Sequence, residues 1–327
     1  MSFAGLLELC AVAAVGFAAG GTLVCGVVYP LLRPRLLRWR PASRAWMIVW
    51  VTIAPLLSGA TFTGLALAPS LMTAAGMLGD HCAETGHTHA HLCVLHPPAW
   101  AGHDLPWVLF GLVLALTTTA ATTAARAYAS ARRIELGLRA ASHPARGLDA
   151  RVVPSDVPLS VTAGLWRPTI FLSSGLLNAL RHPVLDVVVA HERGHVARRD
   201  TLRSLIVAAL SRVHLPWTRR CLLEDLALAH EEACDDVAVG VVGSRVVVAD
   251  AIVAVERLVG GTAPVLAVGF TGGTVSARVE RLLRDPREER QGARGLLGAT
   301  FVAALAVVTL VPVHHLTEAF LHLVLGV

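Results

Sequence analysis

The sequence predicts a mainly α polytopic membrane protein of about four transmembrane helices, with an α+β domain inserted ahead of the last one. Three observations carry this expectation. Of 327 residues, 54% are hydrophobic and only 16% charged, with a mean hydropathy of +0.61, whereas a soluble domain is roughly 25% charged. Four stretches, 3–31, 45–68, 105–127 and 295–313, supply the ~20 apolar residues that a helix needs to cross a hydrocarbon core. The basic residues, all 28 of them Arg, fall in blocks: five in 33–44, 23 between Arg126 and Arg294, and none elsewhere. So much apolar surface excludes a disordered chain.

The Arg blocks set an orientation. By the positive-inside rule, loop 33–44 and region 126–294 face the cytoplasm, and both termini and loop 69–104 face out. No Arg precedes the first stretch, and it is too long for a signal-peptide core, so it reads as a retained anchor. The pI near 9.2 is then a topology signal, with the anionic headgroups of a lipid bilayer as its partner. No direct nucleic-acid binding is expected. Arg in place of every Lys fits a GC-rich genome, so the expected location is a bacterial cell membrane. Three parts follow: a three-helix anchor over 1–127, a cytoplasmic domain over 128–294, and a fourth span with a short outer tail over 295–327. Residues 140–150 and 284–294 read as linkers.

Within the inserted domain, 183–199 (PVLDVVVAHERGHVARR) has helical periodicity: Val184, Val187, Val188, His191 and His195 share a face. His191-Glu192-Arg193-Gly194-His195 is an H-E-x-x-H. Positions i and i+4 stack on one helical face, so both imidazoles reach one Zn²⁺, while Glu192 lies beside them as a candidate general base. Chance alone produces this pattern in roughly one such chain in forty. A catalytic zinc also needs a third ligand and an open position. A second helix, 218–239, carries His230-Glu231-Glu232-Ala233-Cys234-Asp235-Asp236. Glu231 and Asp235 are again i and i+4; one carboxylate closes the ligand set while the other orients a ligand imidazole. His230 and Cys234 are rival ligands.

HERGHVARRD followed by EEACDD resembles the BlaR/MecR family of membrane-embedded zinc metallopeptidases, gluzincins related to the HtpX and CAAX-prenyl endopeptidases. PLSVTAGLWRPTIFLSSGLL (158–177) resembles that family's Gly-x-x-Arg-Pro strand and turn, and TGGTVSARVERLL (271–283) its closing helix. The resemblance covers roughly 150–285. It implies a gluzincin-like peptidase domain with one zinc per chain on His191, His195 and Glu231, Glu192 as general base and Asp235 orienting a ligand. It also implies a protein substrate, such as a winged-helix repressor. The strand at Pro168–Leu172 is either an exposed edge for an extended substrate or core filler. The oxyanion role is open: both Tyr residues, Tyr29 and Tyr128, sit at spans, and His214 and His230 are the nearest candidates in sequence. The apolar stretch 201–217 is too short to span and either dips into the inner leaflet or packs as a core helix.

Loop 69–104 holds His81, Cys82, His87, His89, His91, Cys93, His96 and His103 without a single Arg. This composition points to metal binding or pH sensing, and the outer side permits a Cys82–Cys93 disulfide. The other cysteines, Cys10, Cys25, Cys221 and Cys234, are expected to be free. The family's best-known members carry a penicillin-binding sensor domain after the last span. No Ser-x-x-Lys motif stands there in this sequence, so direct β-lactam sensing is not expected. Three functions compete: a regulatory endopeptidase, a housekeeping HtpX-like protease, and a non-enzymatic metal-sensing membrane protein.

Overall fold

A computed structural model of the protein describes residues 3–79, 94–95, 105–260, 271–284 and isolated positions between 316 and 323. Its longest elements are α1 (Phe3–Leu36), α2 (Pro41–Ala74) and α3 (Leu105–Ala140), of 34, 34 and 36 residues. At ~1.5 Å per residue each is about 50–55 Å long, well beyond a ~30 Å hydrocarbon core. All three contain windows apolar enough to cross a membrane, which marks a multi-pass membrane protein. The turn between α1 and α2 is tight because Pro41 opens α2 at a position whose missing N–H breaks no helical bond. The fourth expected span, 295–313, and the loop residues Cys82 and Cys93 with their neighbouring histidines lie outside the described residues. Leu321 of the tail packs with Leu6, Leu9 and Val12 of α1.

Helix α3 runs unbroken through the 127/128 division that hydropathy suggests. From Arg126 to Ala140 the sequence is rich in helix formers and free of Pro, so the polar continuation stays helical until Ser142-His143-Pro144.

A small mixed sheet follows: β1 (His143–Pro144), β2 (Arg151–Val153), β3 (Ser160–Ala163) and β4 (Thr169–Ser173), in the order β1-β2-β4-β3. β2 and β4 run parallel; the outer pairs are antiparallel. The stretch 140–150, expected to be a linker, therefore supplies a strand and the turn into β2. The turn between β3 and β4 needs Gly164: its φ is +111°, and a Cβ there would lie 2.9 Å from the Arg167 carbonyl oxygen.

Of the two readings of Pro168–Leu172, the structure supports the core one and corrects the exposed edge. The strand is Thr169–Ser173; β4 is paired on both sides, and Ile170, Phe171 and Leu172 are buried. It offers no free edge. Among the described residues the edge strands are β1 and β3; alternation along a sequence does not distinguish an edge strand from a central one.

Five longer helices complete the domain after the short α4 (Ser174–Ala179), which Ser173 caps by accepting from the Leu176 N–H. They are α5 (Val184–Arg198), α6 (Asp200–Leu210), α7 (Pro216–Val242), α8 (Arg245–Gly260) and α9 (Thr271–Leu283). Val188 and Val189 of α5 pack on the sheet with Ile170, Leu172 and Leu176. Val187 and Ala190 pack on Ala238 of α7 and on Val248 and Ile252 of α8. The stretch 201–217 is α6, a 3₁₀ turn and the start of α7, with Val207 buried against Leu222 and Leu226.

Helix α7 also binds the anchor. Tyr29, Leu36, Ala45 and Ile48 share a core with Leu222, Leu226 and Ala229. Asp225 accepts two 2.8 Å bonds from Arg33 and one of 2.8 Å from the Tyr29 hydroxyl. One face further along, buried Glu232 accepts from buried Arg44. The Arg-rich loop and the inserted domain therefore meet at the same end of the bundle.

Removing one partner of the Arg44–Glu232 pair strands the other charge in the core. Arg44→Met is expected to destabilise the protein by about 3–5 kcal/mol, and the Arg44→Met/Glu232→Met double variant to recover much of that loss. Thermal unfolding of the purified protein in detergent measures both.

Candidate active site

The H-E-x-x-H sits on the last two turns of α5, and the acidic motif on the middle of α7. What lets the two meet is Gly194: a Cβ there would lie 2.9 Å from Cys234 Sγ and 3.1 Å from Cys234 Cα. Only a residue without a side chain lets α7 come so near. As a result Glu231 Oε2 lies 3.4 Å from His191 Nε2, and Glu231 Oε1 lies 3.5 Å from His195 Nε2. The ligand-type atoms of the three residues all fall within 4.8 Å of one another.

The other ring nitrogens are held by carboxylates. Nδ1 of His191 is 2.9 Å from Asp235 Oδ1, and Nδ1 of His195 is 3.0 Å from Asp200 Oδ2. Each carboxylate accepts an Nδ1–H and so leaves Nε2 facing Glu231 with its lone pair free when the ring is neutral. Asp200 reaches back because Arg199, in the left-handed region at φ 53°, ends α5 and turns the chain into α6.

Arg278 of α9 closes the far side, giving Asp235 bonds of 2.9 and 2.7 Å and lying 2.9 Å from Glu231 Oε2. Burial disfavours charge on Glu231, but the imidazoles and Arg278 outweigh it and hold its carboxyl well below the usual range. Asp235 is likewise lowered against its burial by His191 and Arg278. Two imidazole nitrogens and one ionised carboxylate, with the back of each ring already anchored, match a His₂Glu zinc set.

Glu192 is buried, and it is held from the sheet: Ser160 and Thr162 of edge strand β3 each donate a 2.7 Å bond to its carboxylate. Beside it opens a cavity of about 180 Å³, with Val187, Ile252, Val255 and Val275 on its apolar wall and His191 and Glu192 on its polar one.

The remaining candidates lie elsewhere. His214 Nε2 donates to the Thr52 carbonyl of α2 at 3.1 Å, so it is buried against the anchor rather than among the three ligand-type residues. His230 lies behind His195, with Nε2 3.4 Å from Asp200 and Nδ1 3.4 Å from Ser204; burial pushes it down to about 4, which keeps it neutral. Cys234 forms a second grouping with His195 and Asp200. Burial pushes its thiol up to about 11, and the thiol donates to Asp200 at 3.6 Å, so the thiolate that a metal needs is disfavoured.

Sequence reasoning assigned no task to Asp200, Arg278, Ser160 or Thr162. Asp200 stood next to the motif as the end of Arg-Arg-Asp, and Arg278 lay in the 271–283 stretch already singled out, so both had a signal. The two hydroxyl residues had none beyond lying in the strand that precedes the motif helix.

Residues 125–274 match the model for peptidase family M48. This stretch is similar to the peptidase domains of that family. Neither the curated proteins nor the solved structures give a match to the chain. The M48 match and the His191/His195/Glu231 cluster together make the protein a zinc metalloendopeptidase with one zinc site.

Gly194→Ala is expected to push α5 and α7 apart and abolish stoichiometric zinc, measured by metal analysis of the purified protein. Asp200→Asn is expected to weaken zinc about 10- to 100-fold while the fold persists; an unchanged affinity in chelator competition would exclude its role. Acid should release the metal. Burial lowers the metal-free imidazoles, but Asp235 and Glu231 carry His191 upward, and Asp200 and Glu231 push His195 up to about 12. The ion pairs of the metal-free site are thus complete below the ordinary His value and lost as pH rises through the raised ones. Zinc requires neutral rings, so its binding displaces protons. Its affinity should rise about tenfold per pH unit for each proton displaced, as chelator competition at pH 6 and 8 measures.

Proposed function

We propose that this M48 peptidase is a signal-responsive membrane protease that cleaves a cytoplasmic or membrane-proximal protein, with a winged-helix repressor as the best-fitting substrate. The observation that carries the reading is the His191/His195/Glu231 cluster, whose Glu231 sits on α7, a helix itself locked to the membrane anchor. In this reading the domain over 128–294 faces the cytoplasm and both termini face out, as the Arg blocks imply. The resemblance of HERGHVARRD and EEACDD to the BlaR/MecR pattern supports a repressor over a housekeeping substrate.

His191, His195 and Glu231 would hold the metal. When bound, zinc supplies Lewis acidity, polarising a carbonyl and making a water acidic enough to lose a proton near neutral pH. Glu192, oriented by Ser160 and Thr162, would serve as the base that accepts a proton from the attacking water and delivers it to the leaving amine. Asp235 and Asp200 keep the imidazoles in the ligating tautomer. Strand β3, with no strand on its outer side among the described residues, offers main-chain groups to an extended substrate beside Glu192.

Glu192→Gln is expected to keep zinc and lose about 10²- to 10⁴-fold in cleavage. Comparing the proteomes of cells carrying wild type and the variant identifies the substrate. A repressor fragment present only with wild type supports the regulatory reading, and fragments of many unrelated membrane proteins point instead to housekeeping. An unchanged fragment pattern would sink the catalytic assignment of Glu192.

A further inference from the structure

Away from the peptidase site, a cavity of about 540 Å³ lies between α1 and α2 at their Arg-rich ends. Val24, Val28, Leu32, Met47 and Val51 line its apolar body, and Arg35 and Arg38 stand at its mouth. We propose that this cavity takes one acyl chain of an anionic phospholipid, whose phosphate is held by Arg35 and Arg38.

The occupant follows from depth and charge. Along α1 the rise from Arg33 to Val24 is ~14 Å, about half of a ~30 Å hydrocarbon core; the cavity is one leaflet deep. Trp39, at the same mouth, is the aromatic type that settles at the membrane–water boundary. A space walled by aliphatic side chains offers water too few partners to stay, and the surrounding solvent at that depth is lipid. The guanidinium groups select the headgroup. Arg33 is bound to Asp225 and Arg44 to Glu232. Arg35 and Arg38 are exposed and make no ion pair among the described residues, so this mouth carries a cationic surplus that a phosphate diester with an anionic headgroup matches. A zwitterionic lipid brings its own cation and gains less.

The site also touches the domain. Tyr29 lines the cavity and donates its hydroxyl to Asp225 of α7, so a chain packed against Tyr29 rests on the contact that docks α7 to the anchor.

The test uses the full chain, purified in neutral detergent and offered phosphatidylglycerol or phosphatidylcholine. Native mass spectrometry counts retained lipids, and thermal unfolding reads their effect. Phosphatidylglycerol is expected to be retained about 10- to 30-fold over phosphatidylcholine, with a raised Tm. Arg35→Gln/Arg38→Gln should erase that selectivity. Val28→Trp, which fills the cavity and leaves both Arg in place, should lose the retained lipid. Equal retention of the two lipids overturns the proposal, as does selectivity that survives the double Arg variant. Lipid retained by Val28→Trp, or an equal rise in Tm with inorganic phosphate alone, overturns the acyl-chain site.

Discussion

Two helices can offer imidazoles and a carboxylate to one ion only where their axes come close, and α5 and α7 do so at Gly194, whose missing Cβ lets Cys234 lie against the helix backbone. Every distance in the cluster inherits from that approach. Once the helices are in place, the i, i+4 spacing of His191 and His195 aims both rings at Glu231, and the i, i+4 spacing of Glu231 and Asp235 puts a second carboxylate behind His191. Arg278 then offsets the negative charge that Asp235 and Glu231 bring together.

The same helix carries the load from the membrane side. Asp225 and Glu232 are seven residues apart on α7 and both face the anchor, where Arg33 and Arg44 meet them. Glu231 and Asp235 lie one helical step round and face α5. A single helix thus has one stripe committed to the bilayer-embedded bundle and another to the zinc site. A change in the packing of α1 and α2 has a direct mechanical route to Glu231, with no flexible linker between.

Much of this was legible in the chain. Both motif helices lie where periodicity placed them, because a helical stripe is a local property of the sequence. The two histidines and the need for a third ligand followed from ligand chemistry and spacing, and the family resemblance singled out Glu231. What was not legible depended on neighbours distant in sequence. Asp200 looked like one more charge after Arg198 and Arg199 until the left-handed turn at Arg199 aimed it at His195. His214 looked like a site residue by proximity along the chain, yet its partner is the Thr52 carbonyl on α2. Arg33 and Arg44 looked like orientation signals only; both turn out to be ion-pair donors to α7 as well.

The sequence by itself determined the apolar spans, the Arg-rich blocks between them and the residues able to hold zinc, because hydropathy, charge and ligand spacing are written in local order. Tertiary structure alone decided which strands are the edges, which carboxylate orients each imidazole and which arginines join anchor to domain. Those choices rest on contacts between residues as far as 192 positions apart, such as Arg33 and Asp225. No local pattern encodes which buried charge will meet which.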